Sequence, residues 1–281
     1  MMDGFPSHLA ERTRHRNSVP SPHGSGPVVV WLKSSFRLHE NPAIDLGRHI
    51  AAEHNRPLLI YHGIDERYPH ASLRHHTMLL DAAVDMDEGC RKAGLRYVLH
   101  VARDGHRPSV MKAFSQSASC IITDLFPLPP WTNWVDSIAA SAACPVFDVD
   151  CHCVIPMPLF GKSVDRPYKF RDATKKMRKK RLQATWPTID VRPEAYTGPL
   201  PFEPVNVNED IKNLSKRFEL LSKCSIDPSV LPVWHERGGE KEALSKWQRF
   251  YDKGLNGYAR RRNNAADPNG VSRLSAAFHY G

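Results

Sequence analysis

The chain has 281 residues, 41% of them hydrophobic, which is enough for one large or two modest domains that each bury a core. Its 39 Lys and Arg residues outnumber its 30 Asp and Glu residues, and this excess of positive charge attracts polyanions such as nucleic acid. The sequence contains no apolar run of about 18 residues, so we predict no membrane-spanning helix.

The first 27 residues are rich in Arg, His, Ser, Pro and Gly and hold few large apolar residues, a composition typical of a flexible segment. They lack the hydrophobic core of a secretory signal. We predict a flexible basic arm over residues 1–27. An organellar transit peptide is the alternative, and Asp3 and Glu11 argue against it.

From residue 28 onward, short aliphatic runs alternate with longer amphipathic stretches, which predicts a parallel sheet wrapped by helices. Strands are predicted at residues 28–32, 57–62, 95–101, 120–123 and 145–149, and helices at 42–52, 72–93, 106–116 and 129–143. The predicted fold is therefore an α/β domain over residues 28–157, built on a five-stranded parallel doubly wound sheet.

The composition changes after residue 157. Five prolines between residues 183 and 208 argue against a sustained helix there. Helical patterning returns at residues 209–222 and 240–260. We predict a linker region over residues 158–240 and the beginning of an all-α domain over residues 241–281.

The cysteines do not form the paired C-x-x-C units of zinc or iron–sulfur sites. They are Cys90, Cys120, Cys144, Cys151, Cys153 and Cys224. Cys151 and Cys153 flank His152, and in an extended strand both thiols point to the same face, where a metal pair is one interpretation. Small buried thiols in a reducing compartment explain them better, so we predict no metal site.

The turn after the first strand limits the kind of nucleotide site that the sheet can carry. It runs from Trp31 to Ala43 and contains no glycine. Without a G-x-G-x-x-G turn, the backbone cannot approach a pyrophosphate in the manner of dehydrogenases, and a P-loop is excluded on the same ground.

That turn resembles the opening signature of the DNA photolyase and cryptochrome family, W-x-R-x-D-L-R-x-x-D-N-x-A. The matching residues are Trp31, Arg37, Asn41 and Ala43. Lys33 and Glu40 keep the charge of the family residue, whereas Ser35 lacks its carboxylate, whose partner would be a structural arginine or a helix terminus. Taken alone, the turn also fits a solvated loop between a strand and a helix.

Further segments resemble the same family in the same order along the chain. They are residues 121–128, 147–156, 168–180 and 258–281. The spacing V-D-x-H-x-x-x-P at residues 149–156 is closest to class II photolyases. The resemblance covers residues 28–281, with a diverged middle from 187 to 240.

The resemblance implies an enzyme, deoxyribodipyrimidine photo-lyase, whose partner is UV-damaged DNA. In this family a reduced, light-excited FAD donates an electron to a cyclobutane pyrimidine dimer that has been extruded from the duplex. The resemblance also implies an antenna chromophore of unidentified chemistry in the α/β crevice. We expect a monomer inside the cell, and its compartment stays open, with the nucleus and an organelle as two of the options.

The residues implied to bind FAD lie near the end of the chain. Tyr258 would touch the flavin phosphate or ribose region. The residues that would line the diphosphate through backbone N–H groups and hydroxyls are Val271, Ser272, Arg273, Leu274 and Ser275. Val271 stands where the family often has threonine, so one hydroxyl contact is missing. An ordinary capped helix start is the alternative interpretation.

Two basic runs are candidates for phosphate contact. Arg260, Arg261 and Arg262 adjoin the residues implied to bind FAD and are the better candidate, for a phosphate of DNA or of FAD. For residues 175–181, DNA-backbone contact, a nuclear-import signal and a solvated helix all stay open. The tryptophans, Trp131 and Trp134 among them, are assigned to aromatic packing.

Most of the helical domain of such an enzyme would follow residue 281. We therefore expect an incomplete fragment that contains no catalytic residue and cannot repair DNA alone. A cryptochrome-like blue-light photoreceptor is one alternative function. The other is a stand-alone α/β module that binds a chromophore or nucleotide without catalysis.

Overall fold

A mixed sheet of six strands forms the centre of the computed structural model, which describes residues 4–281. The strands are β1 Thr13–His15, β2 Val28–Leu32, β3 Leu58–Ile64, β4 Arg96–Val101, β5 Cys120–Asp124 and β6 Val146–Val149. Their order across the sheet is β1-β6-β5-β2-β3-β4. Neighbours from β6 to β4 pair in parallel, so the predicted five parallel strands are confirmed.

Helices cover both faces of this sheet. They are α2 Pro42–Glu53, α3 Leu73–Lys92, α4 Val110–Ser117 and α5 Trp131–Ser141, and a short helix, α1 Ser7–Ala10, precedes β1. The Asn41 side chain starts α2 by accepting hydrogen bonds from the N–H groups of Ala43 and Ile44, with Pro42 at the first helical position. The predicted alternation of strands and helices is thus confirmed.

The side chains of β2 alternate between two apolar cores. Val28, Val30 and Leu32 pack with α2 and α3, whereas Val29 and Trp31 pack with α4 and α5. Because both faces of the strand are buried, it appears in the sequence as a continuous apolar run. This arrangement leaves the carboxyl ends of the parallel strands as the open edge of the layered domain.

Strand β1 corrects the prediction of a flexible arm. Thr13 lies opposite Val149 and Arg14 opposite Asp148, in antiparallel pairing with β6. The Arg14 guanidinium donates two hydrogen bonds to Asp148, at 2.9 and 2.8 Å. A strand of three residues with a charged centre gives no apolar pattern, so the arm prediction is wrong for residues 7–15 and the sheet has six strands rather than five. Asp3 lies outside the described residues.

The rest of the chain follows β6. Its helices are α6 Met157–Phe160, α7 Pro167–Arg181, α8 Leu214–Ser222, α9 Glu240–Lys253, α10 Leu255–Arg261 and α11 Ser275–His279, and Val207–Ile211 form a π-helical turn. The proline-rich residues 183–206 contain no helix and run along the sheet, where Ala195 pairs with Leu58 and Val205 with Leu99. Within residues 4–281 no helix combines the length and the apolar character needed to cross a membrane.

Candidate functional site

A crevice of about 290 Å³ opens at the carboxyl ends of β2, β3 and β4. It lies where the strand order reverses, since β2 pairs with β5 on one side and with β3 on the other. Open α/β sheets bind their ligands at such a switch point. Residues that line the crevice include Trp31, Lys33, Tyr61, Tyr68, His100, Phe126, Trp131 and Trp134.

Aromatic rings form one wall of this crevice. The Trp131 ring centroid lies 5.3 Å from that of Tyr68, 4.7 Å from that of Phe126 and 6.2 Å from that of Trp134. A wall of this kind stacks against planar aromatic ligands. Both tryptophans pack against other rings, as the sequence predicted, but their place in the wall of the crevice was not predicted. Their position at the start of α5, on the segment that follows β5, was the available signal, because crevice residues follow the ends of parallel strands.

A buried ion pair joins the turn after β2 to the end of β5. Lys33 Nζ lies 2.9 Å from Asp124 Oδ1, and both side chains are almost fully buried. The carboxylate also accepts hydrogen bonds from the backbone N–H groups of Lys33, Ser34 and Ser35 and from the Ser34 hydroxyl. The lysine that replaces the family arginine therefore still supplies the cation that this buried acid requires.

The electrostatics of this pair favour ionised Asp124. Burial opposes ionisation, but the positive charge of Lys33 and the hydrogen bonds to the carboxylate outweigh it and lower the pKa of Asp124 to about 2. The pair thus fixes the turn that forms the floor of the crevice. Lys33 Nζ also lies 5.4 Å from the centroid of the Trp31 ring.

Ser35 occupies the position where the family carries an aspartate, and the structure places it against an arginine. Arg37 Nη1 donates a hydrogen bond of 2.9 Å to Ser35 Oγ. Arg37 Nη2 donates to the carbonyl oxygens of Glu40 and Cys151, at 3.0 and 2.9 Å. A neutral hydrogen bond therefore stands where a carboxylate would form an ion pair with this structural arginine.

The V-D-x-H segment after β6 is held by Asp150. Its carboxylate accepts hydrogen bonds from the N–H groups of His152, Cys153 and Met157, at 3.0, 2.9 and 2.8 Å. Burial raises the pKa of the Cys151 thiol to about 12 and that of Cys153 to about 11. Across residues 4–281 no group of three or more His, Cys, Asp and Glu side chains is arranged to hold a metal ion.

A second, more open cavity of about 570 Å³ lies between α9 and the loop that follows α10. We call it the basic cavity. Val271, Ser272 and Arg273 line it, together with Arg261. The other charged or titratable residues in its wall are His235, Glu236, Lys246, Arg249 and Lys253. Five Lys and Arg side chains therefore line the basic cavity, and Glu236 is the one carboxylate that the described residues contribute to its wall.

Two of these cations have no carboxylate partner among residues 4–281. Arg261 forms a bidentate pair with Asp267, at 2.6 and 2.9 Å, and Lys246 pairs with Glu236. In contrast, Arg273 donates only to the carbonyl oxygen of Pro268, at 3.2 and 3.1 Å. Neither Arg273 nor Lys253 has a carboxylate within 4.0 Å in the described part of the chain. Such charges are suited to bind an anion.

The other predicted residues lie outside the basic cavity. Leu274 is buried and lines a separate apolar cavity of about 310 Å³, and Ser275 is exposed at the start of α11. The ring of Tyr258 packs edge-on against that of Phe250, with a centroid distance of 5.4 Å. Arg260 and Arg262 are exposed, and the Arg262 guanidinium lies 5.8 Å from the centroid of the Tyr258 ring.

The sheet order and the crevice at its switch point define a doubly wound α/β protein with a crevice at the edge where such sheets bind their ligands. Residues 28–193, more than half of the chain, match the DNA photolyase family. The chain therefore belongs to the DNA photolyase family.

Several relatives are similar over most of this chain, among them a deoxyribodipyrimidine photo-lyase of Arabidopsis thaliana, which is 23% identical over 91% of this chain and 51% of its own length. A deoxyribodipyrimidine photo-lyase of Methanothermobacter thermautotrophicus is 27% identical over 272 residues, which cover 97% of this chain and 57% of that protein. The protein of the same name from Potorous tridactylus is 26% identical, over 92% of this chain and 46% of its own length. The chain spans about half the length of these relatives.

Solved photolyase structures share the fold. An archaeal photolyase from Sulfolobus tokodaii, crystallised with two FAD molecules, gives a TM-score of 0.60 at 16% identity and covers 90% of this chain and 52% of that one. A bacterial class III photolyase from Agrobacterium tumefaciens gives 0.57 at 19% identity and covers 94% and 53%. The chain therefore has the fold of the corresponding part of these proteins.

Proposed function

We propose that this chain contributes to a light-driven DNA repair enzyme, deoxyribodipyrimidine photo-lyase of class II, in which FAD splits cyclobutane pyrimidine dimers in UV-damaged DNA. The observation that carries the proposal is the basic cavity. In a chain of this family, residues 271–273, which the sequence motif implied to bind FAD, line a space that holds two cations without a carboxylate partner among residues 4–281, namely Arg273 itself and Lys253. Bound reduced FAD would supply the electron for dimer cleavage.

The chain's own residues would hold the dinucleotide through its diphosphate. The Arg273 guanidinium and the Lys253 ammonium would neutralise the two phosphates, and the Ser272 hydroxyl would donate a hydrogen bond. Val271 contributes no hydroxyl to the same wall. The proposal thus gives the positive charge of the cavity a defined anionic partner.

We further propose the domain organisation that the sequence predicts, with an α/β domain over residues 28–157, a linker over 158–240 and the start of a helical FAD-binding domain over 241–281. The one change is that α1 and β1 add residues 7–15 to the α/β domain. The apolar side of α9 supports the assignment of the helical domain. Leu244, Trp247 and Tyr251 repeat at helical spacing and remain 53%, 43% and 55% exposed, and Phe278 of α11 is 75% exposed. A face of this kind in a helical domain packs against further helices.

The crevice at the sheet edge is proposed to bind a second, planar chromophore as a light-harvesting antenna. Its aromatic wall supports stacking on a flat ring system. In the Sulfolobus tokodaii photolyase, the two FAD molecules of the crystal structure implicate a novel light-harvesting cofactor in that protein. We therefore extend the proposal to an antenna at the switch point of this sheet.

Replacing Trp131 by alanine is expected to weaken binding of FMN, used as a planar probe, by about 2–10-fold. One aromatic pair contributes about 0.5–1.5 kcal/mol beyond its buried area. Fluorescence titration measures the dissociation constant. Trp234→Ala is the matched control, because Trp234 is 90% exposed and does not line the crevice. Equal loss in both variants, or no loss in Trp131→Ala, would contradict an aromatic stacking site.

The repair function is tested by survival after UV irradiation. In bacteria that lack photoreactivation, expression of the complete gene is expected to raise survival under blue light and to leave survival in the dark unchanged. Dimer content in extracted DNA gives the second readout and should fall only in the light. A flavin-containing product that leaves dimers intact in the light would instead support a cryptochrome-like photoreceptor.

A further inference from the structure

Helix α7 carries a dense patch of positive charge that the proposed photochemistry does not use. Lys175, Lys176, Lys179 and Lys180 form two adjacent rows, each with a spacing of four residues, and all four side chains are exposed. We call these four residues the α7 lysine patch. The opposite side of the helix faces the protein, with Thr174 buried and Met177 and Arg178 half-buried.

The patch has no internal partner in the described chain. Of the basic residues in α7, only Lys169 and Arg181 form ion pairs, with Asp165 and Glu11. No carboxylate of residues 4–281 lies within 4.0 Å of a patch ammonium group. Asp172, the single acid in α7, lies one turn earlier. Phe160 of α6 packs edge-on against Phe170 in the first half of α7, with a centroid distance of 5.3 Å, and the four lysines lie beyond this contact. Their side chains are exposed, so the patch is open to a large partner.

Helix stability does not explain four lysines at these positions. Cations in the last turn are favoured by the helix dipole, by about 0.3–1 kcal/mol each. However, Lys175 with Lys179, and Lys176 with Lys180, are like-charge pairs at a spacing of four residues, and each costs about 0.2–0.5 kcal/mol. Of the four lysines only Lys179 and Lys180 lie in the last turn, so the helix dipole does not account for Lys175 and Lys176. The density of charge points instead to an external polyanion.

The dimensions and chemistry of the patch fit a nucleic-acid backbone. Residues 175–180 span about 7.5 Å of helix axis, over which a DNA duplex presents several phosphates. The face contains no apolar residue between these positions that would insert into a lipid bilayer. Lysine binds phosphate as a point charge, and its contacts with phosphate do not depend on the base sequence. Contacts of this kind therefore position a protein on DNA.

We propose that the α7 lysine patch is a docking surface for the DNA phosphate backbone, separate from the flavin and independent of any lesion. It holds undamaged duplex through counterion release, whatever the light conditions. The inference concerns DNA in general and rests on charge and exposure alone. It therefore stands or fails separately from the proposed repair of pyrimidine dimers.

Neutralising the patch is expected to remove most of the salt dependence of DNA binding. The test variant carries Lys175→Gln, Lys176→Gln, Lys179→Gln and Lys180→Gln, and glutamine keeps the helix propensity high. Affinity for a short undamaged duplex is measured in the dark by fluorescence anisotropy between about 50 and 200 mM salt. The slope of log affinity against log salt concentration should fall by about 0.9 per lysine. Over this salt range the native protein should therefore lose on the order of 100-fold more affinity than the quadruple variant.

A pair of double variants controls for net charge. Lys175→Gln with Lys179→Gln should reduce the slope, whereas Lys212→Gln with Lys216→Gln should not. Lys212 and Lys216 are also exposed and four residues apart, and neither forms an ion pair in the described chain. Far-ultraviolet circular dichroism checks that the variants remain folded.

Three results would overturn the proposal. The first is an unchanged salt slope in the folded quadruple variant. The second is an equal loss in the two double variants, which would trace the effect to net charge rather than to the α7 lysine patch. The third is patch-dependent binding to phosphatidylserine vesicles without patch-dependent binding to duplex, which would assign the surface to an anionic membrane.

Discussion

Replacing Asp124 by asparagine is expected to lower the free energy of unfolding by about 3–5 kcal/mol. The substitution leaves the Lys33 ammonium buried beside a neutral side chain, and Lys33 is only 2% exposed. A buried charge without its partner carries a desolvation penalty that nothing offsets. Urea denaturation followed by tryptophan fluorescence gives the free energy of both proteins.

A double variant separates the charge from the hydrogen bonds. Lys33→Met combined with Asp124→Asn removes both charges but keeps an amide oxygen that can accept from the turn. We expect the combination to recover most of the stability lost in Asp124→Asn, because neutral replacements of a buried ion pair are often tolerated. If the double variant loses the sum of the single losses, the buried charge is not the cause.

The same pair predicts a dependence of stability on pH. The pKa of Asp124 falls from an ordinary value of 3.8 to about 2 in the folded protein. The ionised carboxylate therefore stabilises the fold fully above about pH 4, and this contribution disappears as the pH falls towards 2. Over this window the native protein should lose about 2 kcal/mol more than Asp124→Asn. Equal losses in the two proteins would contradict the assigned pKa.

Replacing Arg273 by glutamine is expected to weaken FAD binding by about 10–100-fold. A hydrogen bond to a charged group contributes about 1.5–3 kcal/mol, which corresponds to this change in the dissociation constant. The Arg273 guanidinium has no carboxylate partner in the described chain, so its charge is available to the diphosphate. Flavin fluorescence titration measures the affinity. Binding of riboflavin, which has no phosphate, should not change.

Arg260→Gln is the matched control for this experiment. It removes the same charge from a neighbouring segment, but Arg260 is exposed and does not line the basic cavity. We expect its FAD affinity to remain within about twofold of the native value, since rim charges contribute little. If both substitutions weaken FAD binding equally, the affinity depends on the net charge of the protein rather than on the basic cavity.

The parallel strands were predictable because most of their residues are apolar and buried. β2, for example, is a run of five apolar residues, and its bounds agree with the prediction. β1 was not predictable, since its pairing depends on backbone hydrogen bonds and on the contact between Arg14 and Asp148, 134 residues apart. Short strands with charged side chains leave no periodic signal.

The candidate sites were likewise predictable only in part. The motif placed residues 271–274 in one group. Residues 271–273 line the basic cavity, whereas Leu274 lines a separate apolar cavity. The partnership of Lys33 and Asp124 and the crevice around Trp131 depend on which strands become neighbours. Local sequence patterns carry no information on that long-range order.

The most direct test of this account compares FAD with riboflavin on the native protein. Equilibrium dialysis against each compound gives two dissociation constants under identical conditions. We predict that FAD binds at least about 10-fold more tightly than riboflavin, because the basic cavity neutralises the diphosphate that riboflavin lacks. Equal affinities, or a preference for riboflavin, would contradict the assignment of the basic cavity to the flavin diphosphate.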